Sequence, residues 1–385
     1  MKDAGSLRLV GRADELEQLC RRLAGADWLA VDTEFLRERT YHPKLCLVQV
    51  ATAAEVFLID PLALDDLGPL LDLLCDPGIV KVLHAARQDL EIFWNLRGAV
   101  PAPVFDTQIA AMLVGLPEQV GYAALVQHRL GVRLDKAHSR TDWSQRPLSA
   151  EQLEYAAEDV TYLAQLYPGL RDELAGQGRL DWLAPEFDAL VDPARYENRP
   201  EDAWLRIKGT ERLQGPQLAV LQRLAAWREE TAVRTDRPRK WVLSDDALLA
   251  LARARPRDKF ALKRVRGLNY PQQQEHGETL LRLIAEAGGE KPRTRSGGEP
   301  REPLDTGQLA VVDLLMATLR TRAAEAGVNP GALGGRKDLE RLVRGERDVP
   351  LLRGWRLKLA GERLLAVLEG EVALRARDAR GVDIG

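Results

Sequence analysis

Two acids two residues apart, Asp32 and Glu34, stand in the segment Trp28-Leu-Ala-Val-Asp-Thr-Glu-Phe35. The residues leading into them are apolar and β-prone, and strand side chains alternate between faces, so both carboxylates point the same way. Paired acids at the end of an apolar strand repel each other and lose solvation, so either a cation meets them or the strand runs out into solvent. A third acid, Asp89, follows the apolar run Ile79 to Leu83 and flanks a helical face marked by Leu90, Phe93 and Trp94. Taken alone, it reads equally well as an acid placed for the dipole of a helix start. Ser149-Ala-Glu-Gln152 has the pattern of a capping box. On the helix it opens, Tyr155 and Asp159 are four residues apart and share a face, which Tyr162 continues. By itself that is a surface pair. Together, the three motifs bring four carboxylates and a phenol to one site. Hard oxygen donors without a histidine cluster suit Mg²⁺ or Mn²⁺, and two such ions roughly 4 Å apart are an apparatus for in-line displacement at a phosphodiester.

The elements that must position these residues are of two kinds. Trp28 to Val31, Leu45 to Ala51, Val56 to Ile59 and Ile79 to Leu83 are short runs rich in Val, Ile and Leu, as expected of strands. Helical patterns cover Leu64 to Leu74, Gln88 to Leu96, Thr107 to Val114, Tyr122 to Leu130 and Ser149 to Leu166. This mixture predicts an α/β domain with helices packed on a sheet. From about Trp204 the strand signal stops and helices rich in Leu, Ala and Arg take over. Shifting the sequence by 91 positions aligns Gln217-Leu-Ala-Val220 with Gln308-Leu-Ala-Val311 and gives ten identities in 37 positions, which predicts two related helical modules. Lys291 to Pro303 (KPRTRSGGEPREP) has the composition of a solvated linker between them.

The 385 residues, 45% hydrophobic and 29% charged, suffice for two or three domains, each with its own core. Cys20, Cys46 and Cys75 are widely spaced, which argues against a disulfide framework, a zinc ribbon and a redox dithiol and is expected of a reducing, cytoplasmic compartment. No run approaches the ~18 apolar residues of a membrane span. The net charge of −3 conceals an asymmetry: residues up to Ala194 hold 18 basic and 30 acidic side chains, and the remainder 37 and 28. Acid in one half and base in the other fits a part that gathers cations and a part that meets an anionic polymer.

At this point the chain resembles the DEDD 3′-to-5′ exonucleases, in the subclass with tyrosine in the last motif, and within them the ribonuclease D family. Asp32-Thr-Glu-Phe35 matches the first motif, His84 to Phe93 the second and Tyr155-Ala-Ala-Glu-Asp159 the third, while Lys136 to Leu148 (KAHSRTDWSQRPL) resembles the segment ahead of the third. The repeated modules resemble HRDC domains; the second is degenerate and lacks counterparts of Trp227 and Trp241. The resemblance implies a ribonuclease H-like α/β exonuclease domain, a mixed sheet flanked by helices, over 1–200. An HRDC bundle over 201–290, a linker over 291–304, a degenerate HRDC-like bundle over 305–372 and a tail over 373–385 would follow. It also implies that Asp32, Glu34, Asp89 and Asp159 hold two divalent ions, Mg²⁺ or Mn²⁺, while Tyr155 orients the attacking water. A phenol with an ordinary pKa of about 10 suits a hydrogen-bonding role better than that of principal base. The implied reaction releases nucleoside 5′-monophosphates from the 3′ end of RNA, with tRNA precursors as substrates; a chain with three self-contained domains could act as a monomer.

Basic residues mark candidate RNA contacts. Arg237, Arg239 and Lys240 sit in RTDRPRK beside Trp241, and Lys263 and Arg264 lie in a following basic stretch; the alternative is an ordinary solvated helical face. In the first domain Arg140, Trp143 and Arg146 interleave charge and aromatic in a way suited to phosphate contact and stacking, although Trp143 reads equally as a core or lid residue. The absence of a G-x-x-x-x-G-K-[S/T] loop argues against a P-loop helicase. A DNA-directed exonuclease would use the same acids, and a non-catalytic RNA-binding protein would have lost at least one of them.

Overall fold

The computed structural model describes residues 8–135, 141–293, 302–378 and 381–385. The chain divides into two compact units, one made of residues up to 34, 45–195 and 302–385, the other of 35–44 and 196–301.

The first unit is built on a mixed sheet. Among the described residues, β1 (Arg8–Val10), β2 (Trp28–Leu36), β3 (Lys44–Ala51), β4 (Val56–Ile59), β5 (Val80–Leu83) and β6 (Val104–Asp106) lie in the order β1-β4-β3-β2-β5-β6. The β3/β4 pair is antiparallel, whereas β1/β4, β2/β5 and β5/β6 are parallel. Strands covered on both faces read as continuous apolar runs, which is why β3 was legible; β1 and β6, three residues each, are too short to carry such a signal. Flanking the sheet are α1 (Ala13–Leu23), α2 (Gly68–Leu74), α3 (Arg87–Arg97), α4 (Thr107–Leu113), α5 (Tyr122–Leu130), α6 (Ala150–Gly176) and α7 (Ala184–Leu190). The expected capping box opens α6. This helix buries Val160, Leu163 and Leu170 against Ala30, Ala51, Val82 and Phe105 of the sheet. Ala30 and Asp32 share a face of β2, so the packing that seats α6 also turns Asp32 towards the helix carrying Asp159. Each fully buried Leu or Val contributes about 2 kcal/mol. A buried lysine anchors β5: Lys81 Nζ donates to the carbonyls of Asp76, Ile79 and Ala102 at 2.7, 2.6 and 2.6 Å. These three bonds replace the hydration its ammonium gives up.

The second unit contains α8 (Pro216–Thr235), α9 (Arg239–Val242), α10 (Asp245–Ala254), α11 (Lys259–Lys263) and α12 (Tyr270–Ala287). Its helices close over Leu221, Leu224, Leu248, Leu251 and Leu280. A fully buried acid, Glu229, ties segment 35–44 into this unit. Its carboxylate accepts from Tyr41 Oη at 2.5 Å and from Arg239 Nε and Nη2 at 2.5 and 2.6 Å. Burial pushes the Glu229 pKa up, but the bonds from Arg239 and Tyr41 outweigh it and hold the group below the usual carboxylate range.

Residues 302–385 hold α13 (Thr306–Ala326), α14 (Pro330–Leu333), α15 (Arg336–Val343) and α16 (Gly354–Arg356). The last runs through a π-helical stretch, Leu357–Gly361, into α17 (Glu362–Leu368), and a hairpin of β7 (Leu374–Asp378) and β8 (Gly381–Ile384) follows. The 91-residue offset recurs in the elements: α9 and α10 start at 239 and 245, α14 and α15 at 330 and 336. This module is docked on the sheet-bearing part of its own unit. Trp355 stacks on Trp182 with centroids 4.6 Å apart and planes 5° from parallel, and its Nε1 donates to Trp182 O at 3.1 Å. Arg356 pairs with Glu186 at 2.6 Å, and Asn329 N donates to Met112 O at 2.8 Å. Gly115, at φ 84°, passes so close that a Cβ there would lie 3.1 Å from Gly327 O.

Trp355→Ala removes the stack and the hydrogen bond together. A loss of about 2 kcal/mol is expected, somewhat below the range for fully buried tryptophans. Calorimetry should show the transition of the first unit moving down by several degrees; an unchanged transition would mean that the docking contributes little.

Candidate active site

The residues expected to do chemistry come from three elements of the first unit. Asp32 and Glu34 lie on β2, Asp89 is the third residue of α3, and Tyr155 and Asp159 lie on α6. Asp32, Glu34, Tyr155 and Asp159 line a single cavity of about 500 Å³, together with His84, Tyr122, Leu134 and Leu163. Asp89 stands beside this wall, only 7% exposed, and Thr33 Oγ1 donates to its Oδ1 at 2.5 Å. The residue between the two strand acids therefore holds the third.

Further contacts fix the frame. Tyr122 Oη donates to the carbonyls of Asp159 and Glu158 at 2.5 and 3.0 Å, pinning the turn of α6 that carries Asp159. Both ring nitrogens of His84 are engaged, Nδ1 with Thr107 Oγ1 at 2.9 Å and Nε2 with Val120 O at 3.0 Å. Burial lowers its pKa, while the charge of Asp106 and the bond to Val120 O pull the other way, and the tethered ring acts as a wall.

The electrostatics follow from crowding. Burial, then the charge of Asp159, drives Asp32 well above the usual carboxylate range. Burial, then Asp32, Asp159 and Asp89, raises Glu34 to about 9. Burial and Asp32 raise Asp89, with the Thr33 bond pulling the other way, and burial with Glu158 raises Asp159 to about 7. Tyr155 is likewise raised by burial and by Asp159, Glu34 and Asp32, which favours the protonated phenol. No Lys or Arg stands among the described residues lining the cavity. This all-oxygen, uncompensated set fits a hard divalent cation. Among the described residues no group of three acids, histidines or cysteines is already gathered into a metal-holding cluster, so the acids form a donor set rather than a closed cage. Like charges favour that separation.

Two expected RNA contacts of this domain are corrected by the structure. Trp143 is 2% exposed and lies against Tyr155, with ring centroids 6.0 Å apart, leaving no face for a base. Arg146 is bidentate on Asp60, through Nε and Nη2 at 2.6 and 2.7 Å, and also donates to Cys46 O, Trp143 O and Gln145 O. Its guanidinium closes the segment ahead of α6 onto the sheet instead of meeting phosphate. Arg140, also expected to contact RNA, lies outside the described residues. In the second unit Arg239 is committed to Glu229 and to Tyr41, whose ring it covers at 4.6 Å. Thr33 and Tyr122 were not anticipated; a threonine between two strand acids and a tyrosine at a helix start carry no distinctive spacing.

A family model described as 3′-5′ exonuclease matches residues 7–175, and one for the HRDC domain matches residues 217–284. The ribonuclease D of Acidiphilium cryptum is 44% identical over 97% of this chain and 95% of its own length. That of Sphingobium indicum is 41% identical over 97% of each. Among solved structures, Escherichia coli RNase D, described as an exoribonuclease involved in structured RNA processing, matches with a TM-score of 0.81 at 34% identity, over 95% of this chain and 99% of that one.

Raised carboxyl pKa values have a signed consequence for stability. The folded chain holds protons on Glu34 and Asp159 that the unfolded chain has already lost, so their contribution is complete below the unfolded values near pH 4 and disappears as pH climbs through about 7 and about 9. With a chelator present, the melting temperature is expected to fall between pH 6 and 9, and Glu34→Gln should flatten the fall. A wild-type profile that is flat or rises over that interval would contradict the assigned crowding.

Proposed function

Because the chain belongs to the ribonuclease D family of 3′-5′ exoribonucleases, we propose that it trims 3′ ends of structured RNAs, tRNA precursors among them, one nucleoside 5′-monophosphate at a time. The chain is a hydrolase of that family. The observation that carries the mechanistic reading is the meeting of Asp32, Glu34, Tyr155 and Asp159 on one cavity that no described cation lines, with Asp89 beside it. Two divalent ions, Mg²⁺ or Mn²⁺, held by Asp32, Glu34, Asp89 and Asp159, would supply an activated water and stabilise the leaving 3′-oxygen. Tyr155, protonated, donates a hydrogen bond that orients that water. Tyr122, Leu134 and Leu163 give the cavity an apolar wall against which a terminal nucleoside can lie.

Grip on the rest of the RNA falls to the second unit. Residues 35–44 and 196–301 hold 25 basic and 16 acidic side chains, whereas 302–385 hold 14 and 13. A pocket of about 390 Å³ in the second unit is lined by Arg37, Tyr41, Arg206, Lys240 and Trp241. Trp241 is 58% exposed, and Arg264 covers an exposed Phe260 at 4.3 Å. Cations beside exposed rings suit a single strand, phosphates on the charges and bases on the rings. Arg237, Lys240, Lys263 and Arg264 remain in this reading; Arg239 becomes a scaffold residue. The 302–385 module, with the recurring helix order and a near-neutral balance, is read as a divergent HRDC bundle that braces its unit rather than holding RNA. Among the described residues no helix is long and apolar enough to cross a membrane, and the working place proposed is the cytoplasm, as a monomer.

Digestion of a tRNA precursor and of an unstructured RNA, each with and without Mg²⁺ or Mn²⁺, tests the reading through its products. Asp32→Ala should abolish turnover while RNA binding in chelator persists, and Mg²⁺-dependent activity surviving in that variant would overturn the assignment. Joint replacement of Lys240 and Trp241 by Ala is expected to raise KM for a long RNA about tenfold, to leave dinucleotide cleavage unchanged, and to reduce the salt slope by about 0.7. Equal effects on short and long substrates would remove the second unit from the binding surface.

A further inference from the structure

Asp89 owes its position to the start of α3, and that start has no cap of its own: Ala86, the residue before the helix, offers no side-chain acceptor. The preceding residue, Ala85, is a non-glycine held in the left-handed region at φ 57°. Both backbone N–H groups instead donate to one side chain 20 residues further on. Ala86 N reaches Asp106 Oδ2 at 2.8 Å, and Ala85 N reaches Asp106 Oδ1 at 3.1 Å. The same Oδ1 accepts from Gln108 N at 2.8 Å and Ile109 N at 3.4 Å, so Asp106 is also the cap of α4.

Asp106 can do both because of where the sheet places it. It ends β6 in register with Leu83, the last residue of β5, and is 2% exposed. The next residue, Thr107, bonds Leu83 O at 3.1 Å and the His84 ring at 2.9 Å, closing the other side of the same turn. Residues 106 and 107 thus buckle the 83–86 turn onto the start of α4, and α3 leaves that buckle with Asp89 three residues on.

We infer that Asp106 is a positioning residue for the metal site: by tying the turn that leads into α3 to the cap of α4 with one carboxylate it sets where Asp89 meets Asp32 and Thr33. The inference rests on reading Asp89 as a metal ligand. A plain capping role predicts something different, because serine is a good cap for α4 but is too short to reach Ala85 and Ala86. Asp106→Ser therefore separates the two jobs.

The test is calorimetric titration of the full chain with Mn²⁺, without RNA, for wild type, Asp106→Ser and a control, Asp305→Ala, which deletes the cap of α13. Asp106→Ser is expected to bind Mn²⁺ about tenfold more weakly. At saturating Mn²⁺ its kcat should recover to within about threefold of wild type, while the metal concentration for half-maximal rate rises. The control should bind as wild type despite its own loss of melting temperature. Asp106→Asn keeps one acceptor and turns an NH₂ group against a backbone N–H, so it should weaken binding in the same direction even if the serine variant folds poorly. Wild-type affinity in both Asp106 variants, or a loss in the control that matches its melting shift, overturns the inference. A wild type that binds no Mn²⁺ overturns the reading of Asp89 as well.

Discussion

Four carboxyl groups held at one edge of an apolar core repel one another, and the rest of the first unit is arranged to keep them there. Their raised pKa values measure what burial and mutual repulsion cost the charged forms. Asp32 and Glu34 are held by a strand that is hydrogen-bonded on both sides, between β3 and β5. Asp159 is held by a 27-residue helix whose apolar face is buried on the sheet and whose backbone is pinned by Tyr122. Asp89 is held by a helix start and by a hydroxyl from the strand. Rigid elements, rather than loops, carry the acids, and that rigidity opposes the tendency of like charges to spread apart. The same crowding makes the set suited to a hard divalent cation, since the acids that are costly in the free protein are good ligands for one.

Charge is divided accordingly. Residues 35–44 and 196–301 carry a surplus of nine positive charges, the remainder of the chain a deficit of twelve. The second unit is held together by a buried acid of its own, but there Glu229 meets Arg239 and Tyr41 directly, and its pKa falls where those of the acids around the cavity rise. The contrast is one of pairing: a buried carboxylate facing a guanidinium is a structural clamp, while carboxylates crowded together without a basic partner are left as a donor set that suits a hard cation. Arginine takes part in similar clamps elsewhere, as Arg146 does with Asp60 and Arg356 with Glu186. A basic residue in the sequence is therefore no measure of the charge left for RNA.

Much of this was readable before any coordinates. Strand alternation put Asp32 and Glu34 on one face, the capping box opened α6 where it was expected, and helical spacing put Tyr155 and Asp159 on one side of it. The 91-residue offset anticipated the matching starts of α9 and α14 and of α10 and α15. All of these depend on periodicity or on contacts a few residues apart, which sequence spacing encodes directly.

What required the tertiary structure were relations across long separations. That Thr33 holds Asp89 spans 56 residues, and that Asp60 engages Arg146 spans 86; neither separation leaves a local pattern. Burial decided the fate of Trp143, since an aromatic beside arginines has the same sequence signature in a core as on a nucleic-acid surface. The short strands β1 and β6 exist because neighbours supply their hydrogen bonds, and Asp106 serves two helices only because β5 and β6 lie side by side. Residue types and spacing determined which chemistry this chain carries; the partner each charged side chain meets, and so which acids stay uncompensated, was decided by packing.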